Sequence, residues 1–86
     1  MTYHIVFTKQ ADRTLRKLPR NLSDLIRSKL DQVAADPYAH HGNVTKLQNR
    51  AGFRSRVGDW RVIYEIQDDQ VIILVLKIAP RGGVYQ

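Results

Sequence analysis

The sequence predicts an α+β fold in a single domain over residues 1–86: an N-terminal strand, a helical hairpin, then a mainly antiparallel sheet of three to four strands with the helices on one face. Three observations support this prediction. A chain of 86 residues that is 43% hydrophobic has room for one small core. Its first half repeats apolar residues every three or four positions, which is the helical period. Its second half alternates β-formers with turn residues, and the order β-α-α-β-β-β places the helices together.

The N-terminal half contains one predicted strand and two predicted helices. Residues 3–7 are β-formers, and Thr8 is a favourable N-cap for the first helix. Pro19 ends that helix or opens the next, which extends over about residues 20–35. An Asp-Pro pair then ends the second helix, because the residue before a proline avoids the helical region. The predicted apolar stripes are Ala11, Leu15 and Leu18 in the first helix, and Leu22, Leu25, Ile26, Leu30, Val33 and Ala34 in the second.

Residues 37–51 are expected to form a connecting loop. The loop contains His40 and His41, and histidine is a common metal ligand. Side chains at adjacent positions rarely converge on one ion, and the chain has no cysteine to complete a site. We therefore expect a surface loop, with no metal and no cofactor.

The second half of the chain is expected to be a sheet. Gly58-Asp59 is a two-residue hairpin signal between two runs of β-formers. The last run is nearly all apolar, so we expect it in the sheet centre with both faces at least partly covered. The predicted elements are strands at 53–57, 60–66 and 71–78, a turn at 67–70 and a loop at 80–83.

Composition excludes several classes of site and location. Without cysteine, the chain can hold neither a disulfide nor a zinc-thiolate centre. The longest apolar run, residues 71–76, is far shorter than the roughly 20 residues that a membrane-spanning helix needs. The first residues lack the basic and apolar stretches of a signal peptide. We therefore expect a cytoplasmic protein.

Positive charge is the most informative property of the sequence. The formal net charge is +6, and arginine outnumbers lysine nine to five, which suits bidentate recognition of phosphate or carboxylate. Residues 46–61 contain five basic residues and one acidic residue, so we expect nucleic acid or an acidic protein as partner. The helical cations either lie on solvated outer faces or join a binding surface: Arg13, Arg16, Lys17, Arg20, Arg27 and Lys29.

The predicted hairpin brings three arginines together. With a two-residue turn at 58–59, Arg56 lies opposite Arg61, and Arg54 shares their face because residues two apart along a strand point to the same side. Opposed like charges destabilise a hairpin, so a bound phosphate or an acidic partner explains this placement better than stability does. A merely solvated face is the alternative, and another turn length would change the parity. The opposite face, expected to pack on the helices, holds Phe53, Val57, Trp60, Val62, Tyr64 and Ile66.

The C-terminal segment adds two candidate residues. Arg81 precedes two glycines, which allow the main chain to approach a ligand closely. Tyr85 can stack on an exposed base or donate its hydroxyl to a phosphate. An arginine with an aromatic residue is typical of single-stranded RNA sites, although a terminal tyrosine that simply packs is equally common.

Residues 52–66 read Gly-Phe-Arg-Ser-Arg-Val-Gly-Asp-Trp-Arg-Val-Ile-Tyr-Glu-Ile. Together with Leu47, the Ile-Ala-Pro-Arg of residues 78–81 and Val84-Tyr85, this pattern resembles the RelE/ParE toxin superfamily. The similarity covers nearly the whole chain, including the early strand and the helical hairpin. It implies the RelE-like fold and the toxin of a type II toxin–antitoxin pair.

The RelE branch of that superfamily implies a ribosome-dependent mRNA endonuclease. Such an enzyme cuts the codon exposed in the ribosomal A site: the 2′-hydroxyl of the mRNA attacks the adjacent phosphate and leaves a 2′,3′-cyclic phosphate and a 5′-hydroxyl. The catalytic positions of the family match Arg54, Arg56, Arg61, Arg81 and Tyr85. The expected RNA-binding residues are Lys46, Arg50, Arg54 and Arg56.

Two of these positions depart from the best-known RelE pattern, which has lysines where this chain has Arg54 and Arg56. Lysine can lose its proton and act as a base, whereas arginine stays protonated. Both arginines are therefore expected to clamp phosphate and stabilise the charge of the transition state, and Arg81 to stabilise the leaving 5′-oxygen. Tyr85, Glu65 and a ribosomal group all remain candidates for the general base.

Two other functions stay open at this point. The ParE branch shares the fold but poisons DNA gyrase by binding it, and an inactive chain could bind only antitoxin and DNA. All three interpretations imply a RelB-like antitoxin whose acidic segment covers the basic surface. Operator DNA would then be contacted only through the toxin–antitoxin complex, whereas the ribosome and mRNA are partners of the endonuclease alone.

Overall fold

Seven elements follow one another in residues 2–81, the part of the chain that the computed structural model describes. Two helices pack on one face of a five-stranded sheet whose order is β1-β5-β4-β3-β2. Neighbouring strands are antiparallel except β1 and β5, which are parallel. The predicted α+β class is confirmed. The elements are β1 (His4–Phe7), α1 (Lys9–Lys17), α2 (Arg20–Ala35), β2 (Val44–Lys46), β3 (Phe53–Val57), β4 (Trp60–Gln67) and β5 (Ile72–Pro80).

Both helices begin and end where the local chemistry predicts. The Thr8 side chain caps α1 by accepting a hydrogen bond from the Ala11 N–H at 3.2 Å, and its hydroxyl also donates to the Leu76 carbonyl of β5 at 2.8 Å. Pro19 occupies the N-cap of α2, which covers the predicted residues 20–35. Neither helix is long and apolar enough to cross a membrane.

The main core lies between the helices and the sheet. It includes the predicted inner face of the β3–β4 hairpin, on which Phe53, Trp60 and Ile66 are partly buried. The rings of Phe53 and Tyr64 stack with centroids 5.5 Å apart. Fully or almost fully buried members are Ala11, Leu15, Ile26, Leu30, Val33, Ala34, Val57, Val62, Tyr64, Ile73, Val75 and Ile78.

The prediction of an uninterrupted loop over residues 37–51 is wrong, because β2 lies within it. Val44 pairs with Ser55 and Lys46 with Phe53, which makes β2 an edge strand. Three residues, of which only Val44 is half-buried, are too few to show the hydrophobic alternation from which a strand could be recognised. The sheet therefore has five strands, not three to four.

The last strand also differs from its prediction. It extends to Pro80 and begins at Ile72, because Val71 adopts a φ of +57°, outside the β region. This strand lies between β1 and β4, so it is internal, but the central strand of the sheet is β4. A register shift between Ile63 and Tyr64 leaves Leu76 unpaired with β4. The Thr8 hydroxyl binds the carbonyl of that residue.

Candidate functional site

Three arginines of the β3–β4 hairpin lie on the sheet face away from the helices. Arg56 pairs directly with Arg61 and Arg54 with Ile63, as the two-residue turn predicts. Gly58 has a φ of +59° at the first turn position, the pattern of a type II′ turn, which matches the twist of the two strands. The turn therefore sets the parity that places the three guanidinium groups together.

Arg61 is held by backbone carbonyls and lies among like charges. Its Nη1 donates to the Trp60 carbonyl at 3.0 Å and to the Gly58 carbonyl at 3.3 Å. Desolvation lowers the pKa of Arg61, and the charges of Arg56, Arg81 and Arg54 lower it further, whereas Asp59 opposes the shift. An arginine still keeps its proton at neutral pH. A bound anion would relieve this repulsion.

Arg81 joins the hairpin through its backbone. Its N–H donates to the Asp59 carbonyl at 2.8 Å, which ties the chain beyond β5 to the β3–β4 turn. Its side chain lines a depression of about 420 Å³ together with Arg56 and Arg61. The structure thus brings Arg81 beside Arg56 and Arg61, although most of β4 and all of β5 lie between Arg61 and Arg81 in the sequence.

A second depression, of about 280 Å³, continues the first along β3. Both are lined by Arg56, Arg61 and Asn43, and the second also by Arg54 and Thr45. We call the two together the arginine groove, defined by Arg54, Arg56, Arg61 and Arg81. Among the residues from 2 to 81, Arg56, Arg61 and Arg81 form no salt bridge with a carboxylate at 4.0 Å or less.

Sequence reasoning missed Asn43 and Thr45. The Asn43 carbonyl accepts the Arg56 N–H at 2.9 Å, and Thr45 pairs with Arg54 across β2 and β3. Both residues belong to the segment expected to be loop, and only its pairing with β3 places them at the groove. A polar residue in an irregular segment carries no signal for such a position.

A third depression, of about 340 Å³, adjoins the arginine groove at Arg54. It contains two predicted RNA-binding residues, Lys46 and Arg50, which lie apart from the Arg56–Arg61 pair. We call it the loop pocket; it is lined by Thr45 and Arg54, which it shares with the groove, and by Lys46, Leu47, Gln48, Arg50 and Ile63.

The remaining candidates are placed differently. Tyr85 lies outside the described residues. Glu65, on β4, packs beside Gly52 and does not line the arginine groove, whereas Asp59 does. Between residues 2 and 81, no group of three or more His, Asp or Glu side chains could hold a metal ion. The part of the groove that the structure describes can bind and stabilise negative charge through its four arginines. No histidine lines this part of the groove, so none is placed to act as a base.

A separate polar cluster lies at the other end of β4. The hydroxyls of Tyr3 and Tyr38 donate to the two carboxylate oxygens of Asp68, the first at 2.7 Å. These hydrogen bonds lower the pKa of Asp68 and raise that of Tyr38 to about 12. The cluster ties the segment after α2 and the start of β1 to the β4–β5 turn, and it does not contact the arginine groove.

Comparison with known families decides the identity of the chain. Residues 5–85 match the family model described as "ParE toxin of type II toxin-antitoxin system, parDE". The chain belongs to this toxin family. The match extends over both helices, the arginine groove and all five strands except the first residue of β1, so this is a type II toxin–antitoxin toxin of the RelE/ParE superfamily.

Curated relatives and a solved structure agree with this assignment. The toxin is 28% identical to Toxin RelG of Mycobacterium tuberculosis, over 100% of this chain and 99% of RelG. It is 22% identical to the mRNA interferase toxin RelE of Escherichia coli, over 94% of this chain and 85% of RelE. The crystal structure of an archaeal RelE–RelB complex from Pyrococcus horikoshii superposes with a TM-score of 0.81 at 31% identity, over 98% of this chain and 100% of the matched chain.

Proposed function

We propose that this toxin is a ribosome-dependent endoribonuclease that cuts mRNA in the A site. The observation that carries the proposal is the Arg56–Arg61 cross-strand pair, which Arg81 joins at the same depression. Desolvation, and after it the charges of the neighbouring arginines, lower the pKa of Arg61. Such an arrangement costs stability unless an anion occupies it. The interferase named RelE among the relatives supports an RNA phosphate as that anion.

The reaction proposed is attack of the mRNA 2′-hydroxyl on the adjacent phosphate. The 2′-hydroxyl gives its proton to a general base and its oxygen forms a bond to phosphorus. The bond from phosphorus to the 5′-oxygen breaks, and that oxygen takes a proton from water, so the products are a 2′,3′-cyclic phosphate and a 5′-hydroxyl. Negative charge grows on the phosphoryl oxygens and on the leaving oxygen as the bonds change. Preorganised cations aimed at that charge stabilise the transition state more than the ground state.

Each groove arginine takes a role that follows from its position. Arg56 and Arg61 face each other across the hairpin and would hold the non-bridging oxygens of the scissile phosphate between them. The backbone carbonyls that bind the Arg61 guanidinium reduce its freedom, which favours a defined geometry. Arg81, at the turn end of the groove, would stabilise the leaving 5′-oxygen, and Arg54 the next phosphate of the strand.

The reaction also requires a general base that removes the proton of the 2′-hydroxyl. Arginine does not act as a base, so the four groove arginines leave removal of the 2′-proton to another group. Tyr85 and a ribosomal group are the candidates, because Glu65 lies beside Gly52, away from the arginine groove. The ribosome would also orient the mRNA, which contributes to the rate without a strong base.

Induced expression followed by mapping of mRNA 5′-ends tests this proposal. We expect new ends within codons of translated transcripts, carrying 5′-hydroxyls, and their loss in Arg61→Ala. Arg13→Ala is the matched control, because Arg13 is exposed on α1 and lies outside the groove. Unchanged cleavage by both Arg61→Ala and Arg81→Ala would overturn the proposal.

A second candidate function is inhibition of DNA gyrase by binding, which the match to the ParE toxin model favours. It predicts DNA damage signalling on expression, with mRNA ends unchanged. The same cultures distinguish the two functions, because one produces cut transcripts and the other produces cut chromosomal DNA. An inactive chain would produce neither and would not arrest growth.

We also propose a RelB-like antitoxin as the partner of this toxin. The Pyrococcus horikoshii relative was crystallised as a RelE–RelB complex. A net charge of +6, concentrated in residues 46–61, suits an acidic partner segment. Contact with operator DNA would then pass through the antitoxin. Action on the ribosome would place the free toxin in the cytoplasm.

A further inference from the structure

We propose that the loop pocket binds the base of the nucleotide next to the scissile phosphate and thereby selects which bases flank the cut. The inference rests on the proposed function for its place in the reaction. As a binding site for a single-stranded nucleotide, however, it has a test that does not require cleavage.

The floor of the loop pocket is apolar, unlike the rest of this sheet face. Ile63 is only 3% exposed and forms a small cluster with Ala79, Leu47 and Leu76 on the side away from the helices. Phosphate does not need an apolar surface, whereas the flat face of a nucleobase is stabilised by one. The pocket volume of about 340 Å³ leaves room for a base.

The rim of the pocket combines cations with an amide. Lys46 and Arg50 supply positive charge for the backbone of a nucleotide, and no residue lining the pocket is acidic. The Gln48 amide provides both a donor and an acceptor, so it can read the edge of a base by hydrogen bonding. A surface that merely repels other proteins or keeps the chain soluble would not need this combination.

The loop that carries Gln48 is held in place before any ligand binds. The Leu47 N–H donates to the Gly52 carbonyl at 3.0 Å, which closes the loop. Asn49 occupies the left-handed region with a φ of +64°, and Gly52 has a φ of +116°. A Cβ on Gly52 would lie 2.9 Å from the Tyr64 carbonyl oxygen, so glycine lets the loop approach β4 closely. A preorganised loop lowers the entropic cost of binding.

The pocket is continuous with the arginine groove. Arg54 and Thr45 line both. Arg54 and Arg56 are two positions apart on β3, a separation of about 7 Å along the strand and the length scale of one nucleotide. A single strand with one phosphate between Arg56 and Arg61 can therefore place its neighbouring nucleotide over the loop pocket.

Titration of the full-length toxin with 2′-O-methyl trinucleotides, followed by amide NMR shifts, tests the inference without cleavage. We expect the NMR resonances of the Leu47, Gln48 and Arg50 amides to shift when the trinucleotide is added. A trinucleotide that lacks the base at one particular position should reduce those shifts at least threefold. The shifts at Arg56 and Arg61 should persist, because the phosphates remain. Loop amides that do not shift, or that shift equally without any base, would overturn the inference.

The Gln48→Ala variant tests base selection. The measured quantity is the ratio between the strongest and the weakest affinity for trinucleotides that differ only at the selected base. We expect this ratio to be at least threefold smaller in Gln48→Ala than in wild type. Gln10→Ala, an exposed substitution on α1, should leave that ratio unchanged. An unchanged ratio in Gln48→Ala would mean that the pocket does not read the base.

Mapped cut sites separate this inference from the proposed function. If wild-type toxin cuts mRNA, Gln48→Ala should change the base composition around the cut, and an identical composition contradicts the inference alone. If wild-type toxin cuts no mRNA but the NMR result holds, the endonuclease proposal fails and the nucleotide site stands.

Discussion

The substitution Tyr64→Phe is expected to stabilise this toxin. The Tyr64 side chain is 0% exposed, and no residue in the described range 2–81 forms a hydrogen bond with its hydroxyl. A buried polar group without a partner costs about 1–3 kcal/mol relative to its hydrated state. Phenylalanine removes the hydroxyl while keeping the ring that stacks 5.5 Å from Phe53. We therefore expect a gain of about 1 kcal/mol, which raises the melting temperature of a domain this size by about 4–8 °C.

Urea denaturation of wild type and variant measures this gain as a higher midpoint with an unchanged slope. Tyr38→Phe is the matched control, because the Tyr38 hydroxyl donates to Asp68 and its loss should be destabilising. Burial also raises the pKa of Tyr64 to about 12. Above about pH 10 the unfolded state ionises first, so wild type should lose stability there and the advantage of Tyr64→Phe should widen. A lower midpoint for Tyr64→Phe would refute the reasoning, since it would mean that the hydroxyl has a stabilising partner.

Three other substitutions test the loop, the groove and the distant polar cluster. Gly52→Ala is expected to lower the free energy of unfolding by about 2 kcal/mol, since its Cβ would meet a carbonyl oxygen at 2.9 Å at a φ of +116°. Gly42→Ala, with nothing within 4 Å, should have far less effect in the same urea titration, and equal effects would contradict the steric argument. Arg56→Ala should raise the urea midpoint at low salt by removing an opposed like charge, and the gain should shrink as salt is added; a loss at low salt would contradict this. Asp68 has a pKa below its ordinary value, so its contribution is present above about pH 4 and is lost as the pH falls through its folded value. Asp68→Asn should therefore flatten the decline of the midpoint as the pH falls below about 4, and a decline as steep as that of Asp69→Asn would count against the tyrosine contacts as its cause.

The part of the site that could be predicted from the sequence is the part set by local geometry. Arg56 and Arg61 are five residues apart, and a two-residue turn with strand alternation determines that they face each other. The bounds of α2 were equally predictable, because both signals are local. The apolar spacing lies within the helix, and the Asp-Pro stop lies at its end.

The parts that could not be predicted depend on contacts between distant segments. Nothing within the three residues of β2 distinguishes them from loop, and they become a strand only because β3 lies beside them. The position of Arg81 depends on the length of β5 and on its bond to the Asp59 carbonyl. The loop pocket likewise needs Ile63 of β4 beneath residues 46–50, a contact that no local pattern encodes.

The parallel pairing of β1 with β5 has a consequence for the order of folding. It joins His4 to Ile72 and Phe7 to Val75, across almost the whole chain, whereas the β3–β4 hairpin closes a two-residue loop. Closing a long loop costs more entropy than closing a short one, so we expect the hairpin and its opposed arginines to form early and β1 to dock late. Pulse-labelling hydrogen exchange during refolding should protect β3 and β4 amides before those of β1, and simultaneous protection would rule this order out. On the ribosome that made it, the chain would then carry a nearly complete hairpin with its opposed arginines before its sheet is closed.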